Sequence, residues 1–311
     1  MILETPRISV VIPTYNNGPL VRRAVRSALT QTQPPYEVIV VDDGSTDGTA
    51  EQLKTEFPDQ ITYHWQPNGG PSRARNTGVR LSTGDWVAFL DADDEWAPEK
   101  LERQATCTSR PGVAIVACDA VVRDKMGISL FRTNLPRPFD RSTVTRELRV
   151  RTAITMSGVL VKRAALLKLG GFSEELVCGE DREMWARLVS QYDVAAVHEP
   201  LLLYTRSAGS LSYNATRVLH DGLIVNRRVL RALPFSSPLG RLQCFLALRK
   251  ADSALYSSAA WLHAEAGHRG LAISLSLRSL WLFPFGRLKS RLVSLYKLAL
   301  PMKSRYSGRT S

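Results

Sequence analysis

Twice in the first hundred residues an apolar, β-branched run ends in adjacent carboxylates: EVIVVDD at 37–43 and DWVAFLDADD at 85–94. Runs of this kind predict buried strands. A third run, ISVVIP, comes before them, and ITYHW and VAIVACDAVV complete five strand candidates. Helical spacing separates them, as in LVRRAVRSALTQT, where Leu20, Val21, Ala24, Val25, Ala28 and Leu29 share one face. Strands alternating with helices imply βαβ units and a mostly parallel sheet, an α/β fold. Ligands of such sheets bind beyond the carboxyl ends of the strands. Asp42, Asp43, Asp91, Asp93 and Asp94 all fall at such ends. Sequence order alone therefore gathers two acidic clusters on one rim.

Each cluster has a plain structural reading and a chemical one. VVDDGSTDGT reads as a βα turn with a capping aspartate, or as a carboxylate able to accept the N3–H of a uracil-type base. FLDADDEW reads as a solvated acidic loop, or as a hard-cation site in which Asp91 and Asp93 supply oxygens and substrate phosphates complete the shell. A cation there would stabilise charge on a departing nucleoside diphosphate. Between them, NGGPSRARNTG places Gly69 and Gly70 before a helix, with Ser72 as its expected N-cap. Arg73 or Arg75 is then placed to reach phosphate. Further on, GGFSEELVCGEDREMWARL puts Glu180 and Asp181 at a helix start, where a carboxylate can take a proton from an attacking hydroxyl. Trp185, one turn beyond, is expected to stack on a sugar ring.

These segments resemble the ordered motifs of the family 2 glycosyltransferases: SVVIPTYN, EVIVVDDGSTDGT, NGGPSRARNTGV, GDWVAFLDADDEW and GGFSEELVCGEDREMWARL. The likeness spans 8–212, about two thirds of the chain. It implies a GT-A fold, a nucleotide-diphospho-sugar donor (a UDP-sugar first), Mn²⁺ or Mg²⁺, and transfer with inversion to a saccharide or lipid-linked saccharide. Carried onto this sequence, it implies that Pro13 and Tyr15 frame the base and that Asp43 binds it. Asp93 becomes the principal metal ligand, with Asp91 beside it touching donor and metal. Asp181 becomes the catalytic base, with Glu180 its neighbour. One departure stands out: relatives often carry a His where YTRSAGSLS has Ser207. Arg206 is the expected substitute on the diphosphate, with His198 or His220 as alternative completions of the metal site.

The catalytic domain is expected to occupy 1–212 and a basic, helical C-terminal region 213–311. Net charge is +12, and from Leu201 onward there are 17 Lys or Arg against 3 Asp or Glu. That excess suits an anionic membrane surface. It lies in a helical stretch without an aromatic-basic reading motif, so no nucleic acid is expected. Four dispersed cysteines without a CxxC pair read as reduced thiols. MILETPRISVVIPTYN lacks a signal-peptide pattern, and no uninterrupted apolar run reaches the ~18 residues of a membrane span. The expected location is cytoplasmic, peripheral on the inner face of the membrane. A sugar-nucleotide pyrophosphorylase would need a glycine-rich basic loop after the first strand, where this chain has PTYNNGPL. The 126–151 stretch is expected to be irregular.

Overall fold

β1 (Ile8–Thr14) is buried at every position, and its side chains divide between two faces. Val10 and Ile12 meet the apolar stripe of α1 (Gly18–Leu29), while Val11 meets the opposite layer. This period-two division makes a three-layer α/β/α sandwich. Each such Val or Ile contributes about 1.5–3 kcal/mol on burial. The computed structural model describes residues 5–283 except 125, 127, 207–214, 236–238 and 266.

After β1 and α1 come β2 (Glu37–Asp42), α2 (Thr49–Glu56), β3 (Thr62–Trp65), α3 (Pro71–Leu81) and β4 (Trp86–Phe89). The order continues with β5 (Glu95–Trp96), α4 (Lys100–Ala105), β6 (Val113–Asp124), β7 (Ser129–Thr133) and α5 (Arg141–Leu148). A 3-10 turn (Met156–Gly158), β8 (Val159–Lys162), α6 (Arg163–Lys168), α7 (Glu180–Gln191) and β9 (Asp193–Arg206) complete the sheet region. Then follow α8 (Ala215–Ala232), α9 (Gly240–Glu265) and α10 (Arg269–Leu282).

The strands form one sheet in the order β3-β2-β1-β4-β8-β6-β9-β5, with β7 added to β6. The parallel pairing expected from βαβ alternation holds across β3-β2-β1-β4. Beyond β4 the sheet is mixed: β8 runs antiparallel to both β4 and β6, whereas β6 and β9 are parallel. All four strands of the parallel half end on one rim, which places Asp42 and Asp91 there together. α3 lies close against β1 because Gly78 has no side chain; a Cβ there would fall 2.3 Å from Val11 Cγ1.

The 126–151 stretch is more regular than expected. It contains β7, exposed at all five residues, and α5, whose N-cap Asp140 accepts the Thr143 amide at 2.7 Å. The expected hairpin around Gly267 is formed by α9 and α10. Among the described residues no helix is long and apolar enough to cross a membrane, and Cys107, Cys118, Cys178 and Cys244 are all free of disulfides. The basic residues from Arg287 onward lie outside the described residues.

α8 contributes Val225 and Val229, and Leu233 just beyond it, to the same core cluster as α7, whereas α9 and α10 share a small cluster around Tyr256, Ala259, Ala260 and Leu275.

One core residue carries a pH signature. Lys100 is fully buried, 4.0 Å above the Trp96 ring, with Nζ donating to Gln104 Oε1 at 2.7 Å. Burial pulls its ammonium down to about 8. The unfolded lysine keeps its proton to about 10.4, so between these values the unfolded chain binds more protons. Stability therefore rises with pH through that window, by about 3 kcal/mol from this group. Lys100→Met is expected to remove that rise, read as urea midpoints at pH 7.5 and 10.

Candidate functional site

The rim is built from four loops tied to one another by side chains. Asn16, after β1, adopts φ 47°. Its amide donates to Ser45 Oγ at 2.8 Å, and its Oδ1 accepts the Thr46 amide at 2.8 Å. Ser45 and Thr46 thus stitch the β1 and β2 loops together. Asp42 is buried and accepts from the Ser45 amide and the Tyr63 hydroxyl.

Asp43 turns inward toward the glycine loop. Its Oδ1 accepts from Gln66 Nε2 and Gly69 N, and its Oδ2 from Gly69 N and Gly70 N, at 2.7–3.1 Å. Three donors, with the Gly69 amide shared between the two oxygens, thus engage both sides of the carboxylate. Asp43, expected to bind the base, here anchors the glycine loop before α3. Pro13 is buried at the end of β1, and the Tyr15 ring beside it is exposed.

α3 starts from Gly70 without a side-chain cap. Ser72 does not serve as one: its hydroxyl donates to Leu176 O at 3.1 Å, because the loop before α7 packs on this helix. Asn76 grips the same loop, donating to Phe172 O and accepting the Phe172 amide. Arg73 is exposed and lies over Gly69, whose position a Cβ would put 2.2 Å from Arg73 Cδ.

Arg75 is the centre of the site. Its Nη2 donates to Asp91 Oδ1 at 2.7 Å and its Nη1 to Glu180 Oε1 at 2.8 Å. It is 4 % exposed, and the two carboxylates hold its proton more firmly than usual. Both terminal nitrogens point to carboxylates, which corrects the expectation that Arg75 reaches phosphate; the exposed Arg73 remains for that. Arg75 instead joins the acid at the end of β4 to the acid at the start of α7. Removing it strands two acids in a desolvated setting. Arg75→Leu is expected to cost about 3–5 kcal/mol of stability, read by urea denaturation.

Beyond β4 the DADD turn is held from behind by Ser157. Its hydroxyl donates to Asp94 Oδ2 at 2.5 Å and accepts the Asp91 amide at 3.0 Å, and its carbonyl accepts from Trp96 Nε1. Asp94, fully buried, also accepts the Thr205 amide at 2.8 Å. Asp94 and Ser157 therefore fix the turn and the end of β9, a role that only the fold reveals. Asp93 has no ion-pair partner among the described residues. Burial and the nearby Asp91 charge push its carboxyl up to about 6.

At the start of α7, burial pushes Glu180 up to about 7 against the pull of Arg75, and burial likewise raises Asp181. Asp181 Oδ1 accepts the Arg182 amide at 2.6 Å. Trp185 is a correction. It has no exposed surface and packs edge-on to Phe172, ring centres 6.0 Å apart, so it cannot stack on a sugar. α7 is covered on nearly all sides, and one turn beyond Asp181 already lies in the core.

Arg206 closes β9; its side chain, and Ser207, lie outside the described residues. His198 sits 3.9 Å from Asp119 and His220 2.8 Å from Asp221, rather than against Asp91 or Asp93. Among the described residues no three His, Cys, Asp or Glu side chains form a closed metal cage. Asp91 and Asp93 follow β4 two residues apart, close enough for the charge of one to act on the other.

The sequence matches the profile of Glycosyl transferase family 2 over residues 9–170. An uncharacterized glycosyltransferase of Rickettsia typhi is 30 % identical over 202 residues, covering 64 % of this chain and 63 % of that protein. The chain thus spans slightly less than two thirds of that relative. A putative teichuronic acid biosynthesis glycosyltransferase, TuaG of Bacillus subtilis, is 37 % identical over 130 residues, 39 % of this chain and 52 % of that one. Among solved structures, the mannosyltransferase PcManGT of Pyrobaculum calidifontis, in complex with GDP-Man and Mn²⁺, superposes with a TM-score of 0.61 at 22 % identity, covering 95 % and 86 % of the two chains. S. aureus TarS 1-349 with UDP-GlcNAc gives 0.54 at 18 % identity, covering 88 % and 91 %. These likenesses show the GT-A fold with a helical C-terminal region. With its β4 carboxylates, glycine-led α3 and acidic α7 assembled on one rim and the profile matched over more than half its length, the chain belongs to glycosyl transferase family 2.

Proposed function

We propose that the protein is a metal-dependent, inverting glycosyltransferase that moves a sugar from a nucleotide-diphospho-sugar to an acceptor hydroxyl, in the synthesis of a cell-surface polysaccharide or lipid-linked glycan. The observation that carries this reading is Arg75, whose guanidinium spans Asp91 at the end of β4 and Glu180 at the start of α7. The donor-side acids and the base candidates thereby share one small volume.

Asp93 and Asp91 are the residues to hold Mn²⁺ or Mg²⁺. The fit rests on their chemistry: two neighbouring carboxylates, one raised to about 6 by burial and mutual repulsion, gain from a cation between them. Such an ion neutralises charge gathering on a departing diphosphate. Pro13 and Tyr15 frame the base, against the loop that Asp43 anchors. Arg73, exposed beside the glycine loop, is the residue to reach the diphosphate, with Arg206 as a second candidate. Asp181 takes the acceptor hydroxyl proton as the oxygen bonds to the anomeric carbon. The bond from that carbon to the diphosphate oxygen breaks on the opposite face, so one displacement inverts the centre. A base raised by burial has the proton affinity this step needs.

UDP is the first donor to try, since neighbours of the same fold bind UDP-GlcNAc and GDP-Man. A lipid-linked acceptor at the inner membrane face fits the basic C-terminal region, where exposed Phe245 and Trp281 flank Arg249. A chain ending at residue 283 that still pelleted fully with anionic vesicles would remove the tail from that reading.

The test is calorimetric titration with UDP, GDP, TDP and CDP, each with and without Mn²⁺. One nucleotide binding in a metal-dependent way is the expected result. A folded protein that binds none of them overturns the reading.

A further inference from the structure

The geometry points to α8 as a positioning element of the catalytic site, with Asp221 and Asn226 holding the start of α7 from behind. This rests on the reading of Asp181 as the base.

α8 begins 34 residues after Asp181, in the stretch that the sequence assigns to a separate C-terminal region. Asp221 nonetheless reaches the loop that launches α7. Its Oδ2 accepts the amides of Val177 at 3.0 Å and Cys178 at 3.2 Å. The carboxylate is 1 % exposed and also meets Arg217 Nε at 3.2 Å and His220 Nδ1 at 2.8 Å. One turn along α8, Asn226 Oδ1 accepts from Arg182 Nη1 at 2.6 Å, and Asn226 Nδ2 donates to Asp252 Oδ1 of α9 at 2.8 Å. Arg182 is the residue directly after Asp181, and its Nε is fixed on Leu148 O of α5.

Between these grips the two backbones close up. Gly179, at φ +79°, would place a Cβ 3.3 Å from Val225 Cγ2. Any larger residue there is strained in conformation and pushes on α8. The 172–178 loop is thus held on both sides: Ser72 and Asn76 of α3 grip its front, and Asp221 grips its back. α3 also carries Arg75, which binds Glu180 and Asp91. A shift of the loop changes where Asp181 stands relative to the donor-side acids. Errors of about 1 Å in such a constellation cost on the order of 10²-fold in rate.

The partners of Asp221 and Asn226 are the loop before α7, Arg182, Arg217, His220 and Asp252, not the acids beyond β4. Loss of Asp221 or Asn226 is therefore expected to lower kcat and leave donor affinity alone.

The experiment uses the full chain and three variants: Asp221→Leu, Asp221→Asn and Asn226→Ser. Asp221→Asn keeps an oxygen for the two amides and is the rescue. UDP affinity in the presence of Mn²⁺ should stay within twofold in all three. Turnover, followed as nucleoside diphosphate released from UDP-GlcNAc or GDP-mannose, should fall 10- to 100-fold in kcat for Asp221→Leu and Asn226→Ser, with donor KM unchanged and Asp221→Asn near wild type. Hydrogen exchange of residues 177–183 should quicken at least tenfold in the two damaged variants, with α1 and α3 unchanged.

If Asp221→Leu does not fold, Asn226→Ser decides. Unchanged exchange at 177–183, or an unchanged kcat, overturns the positioning role. Uniform loss of protection across the molecule also overturns it, because that marks a general stability effect. A wild-type protein that turns over neither donor counts against those donors alone, and the exchange data still decide the clamp.

Discussion

Asp181→Asn is expected to lower turnover by about 10²–10⁴-fold, the range that a positioned general base contributes. The amide keeps the shape of the side chain and can still accept the Arg182 amide, which Asp181 Oδ1 now takes at 2.6 Å. The helix start should stay in place. Burial already raises the Asp181 carboxyl, so a neutral group there costs the fold little. Nucleotide affinity is expected to remain within twofold, because a general base acts on the acceptor hydroxyl rather than on the nucleotide. Steady-state rates at saturating donor, paired with nucleotide titration, check both halves. A variant with more than a tenth of wild-type kcat would remove Asp181 from the base role.

Asp93→Ala should cost about 10³-fold in transfer, corresponding to roughly 4 kcal/mol of lost charge stabilisation. It should also abolish the strengthening of nucleotide binding by Mn²⁺. The same change is expected to raise thermal stability in metal-free buffer. Asp93 is pushed up to about 6 by burial and by Asp91, and its charge in turn adds to the strain on buried Asp94. Removing one of three crowded carboxylates relieves that repulsion. A melting temperature that rises while activity collapses is the signature of a site where function costs stability. A fall in both would place Asp93 in the scaffold instead.

The parts of this fold that could be read from sequence are those where one strand is buried on both faces. β1, β2 and β4 are short apolar runs ended by turn residues, and their carboxyl-end acids follow from chain order. β9 escaped because DVAAVHEPLLLYTR is broken by polar residues and Pro200. The sheet absorbs that proline where the register shifts between Cys118 and Asp119 of β6. β7 carries no burial signal at all, since every residue is exposed.

The site divides similarly. Residue type and position singled out Asp91, Asp93, Glu180 and Asp181 as candidates, but not who partners whom. Arg75 looked like a phosphate ligand because it follows a glycine pair, and Trp185 looked like a sugar platform because it lies one turn beyond an acid. Both assignments turn on long-range packing that local spacing does not encode. Ser157 and Asp221 had no signal, and the acid Asp94 gave none of its scaffold role, since each acts by accepting or donating across 40 or more residues of chain, as in the Val177 to Asp221 bond.

The Arg75 bridge also restricts how this sequence can drift. Losing the arginine strands Asp91 and Glu180, and losing either acid leaves a buried guanidinium half-satisfied. Every one-step path away from the triad passes through a weakened intermediate, so the three positions are locked into joint inheritance. Effects of changing them should be strongly non-additive. A library that varies the exposed Tyr15 and Arg73 leaves this triad intact, whereas one that varies residue 75 alone will consist mostly of destabilised protein. Attempts to alter this rim should therefore start at its exposed residues and treat 75, 91 and 180 as a single unit of change.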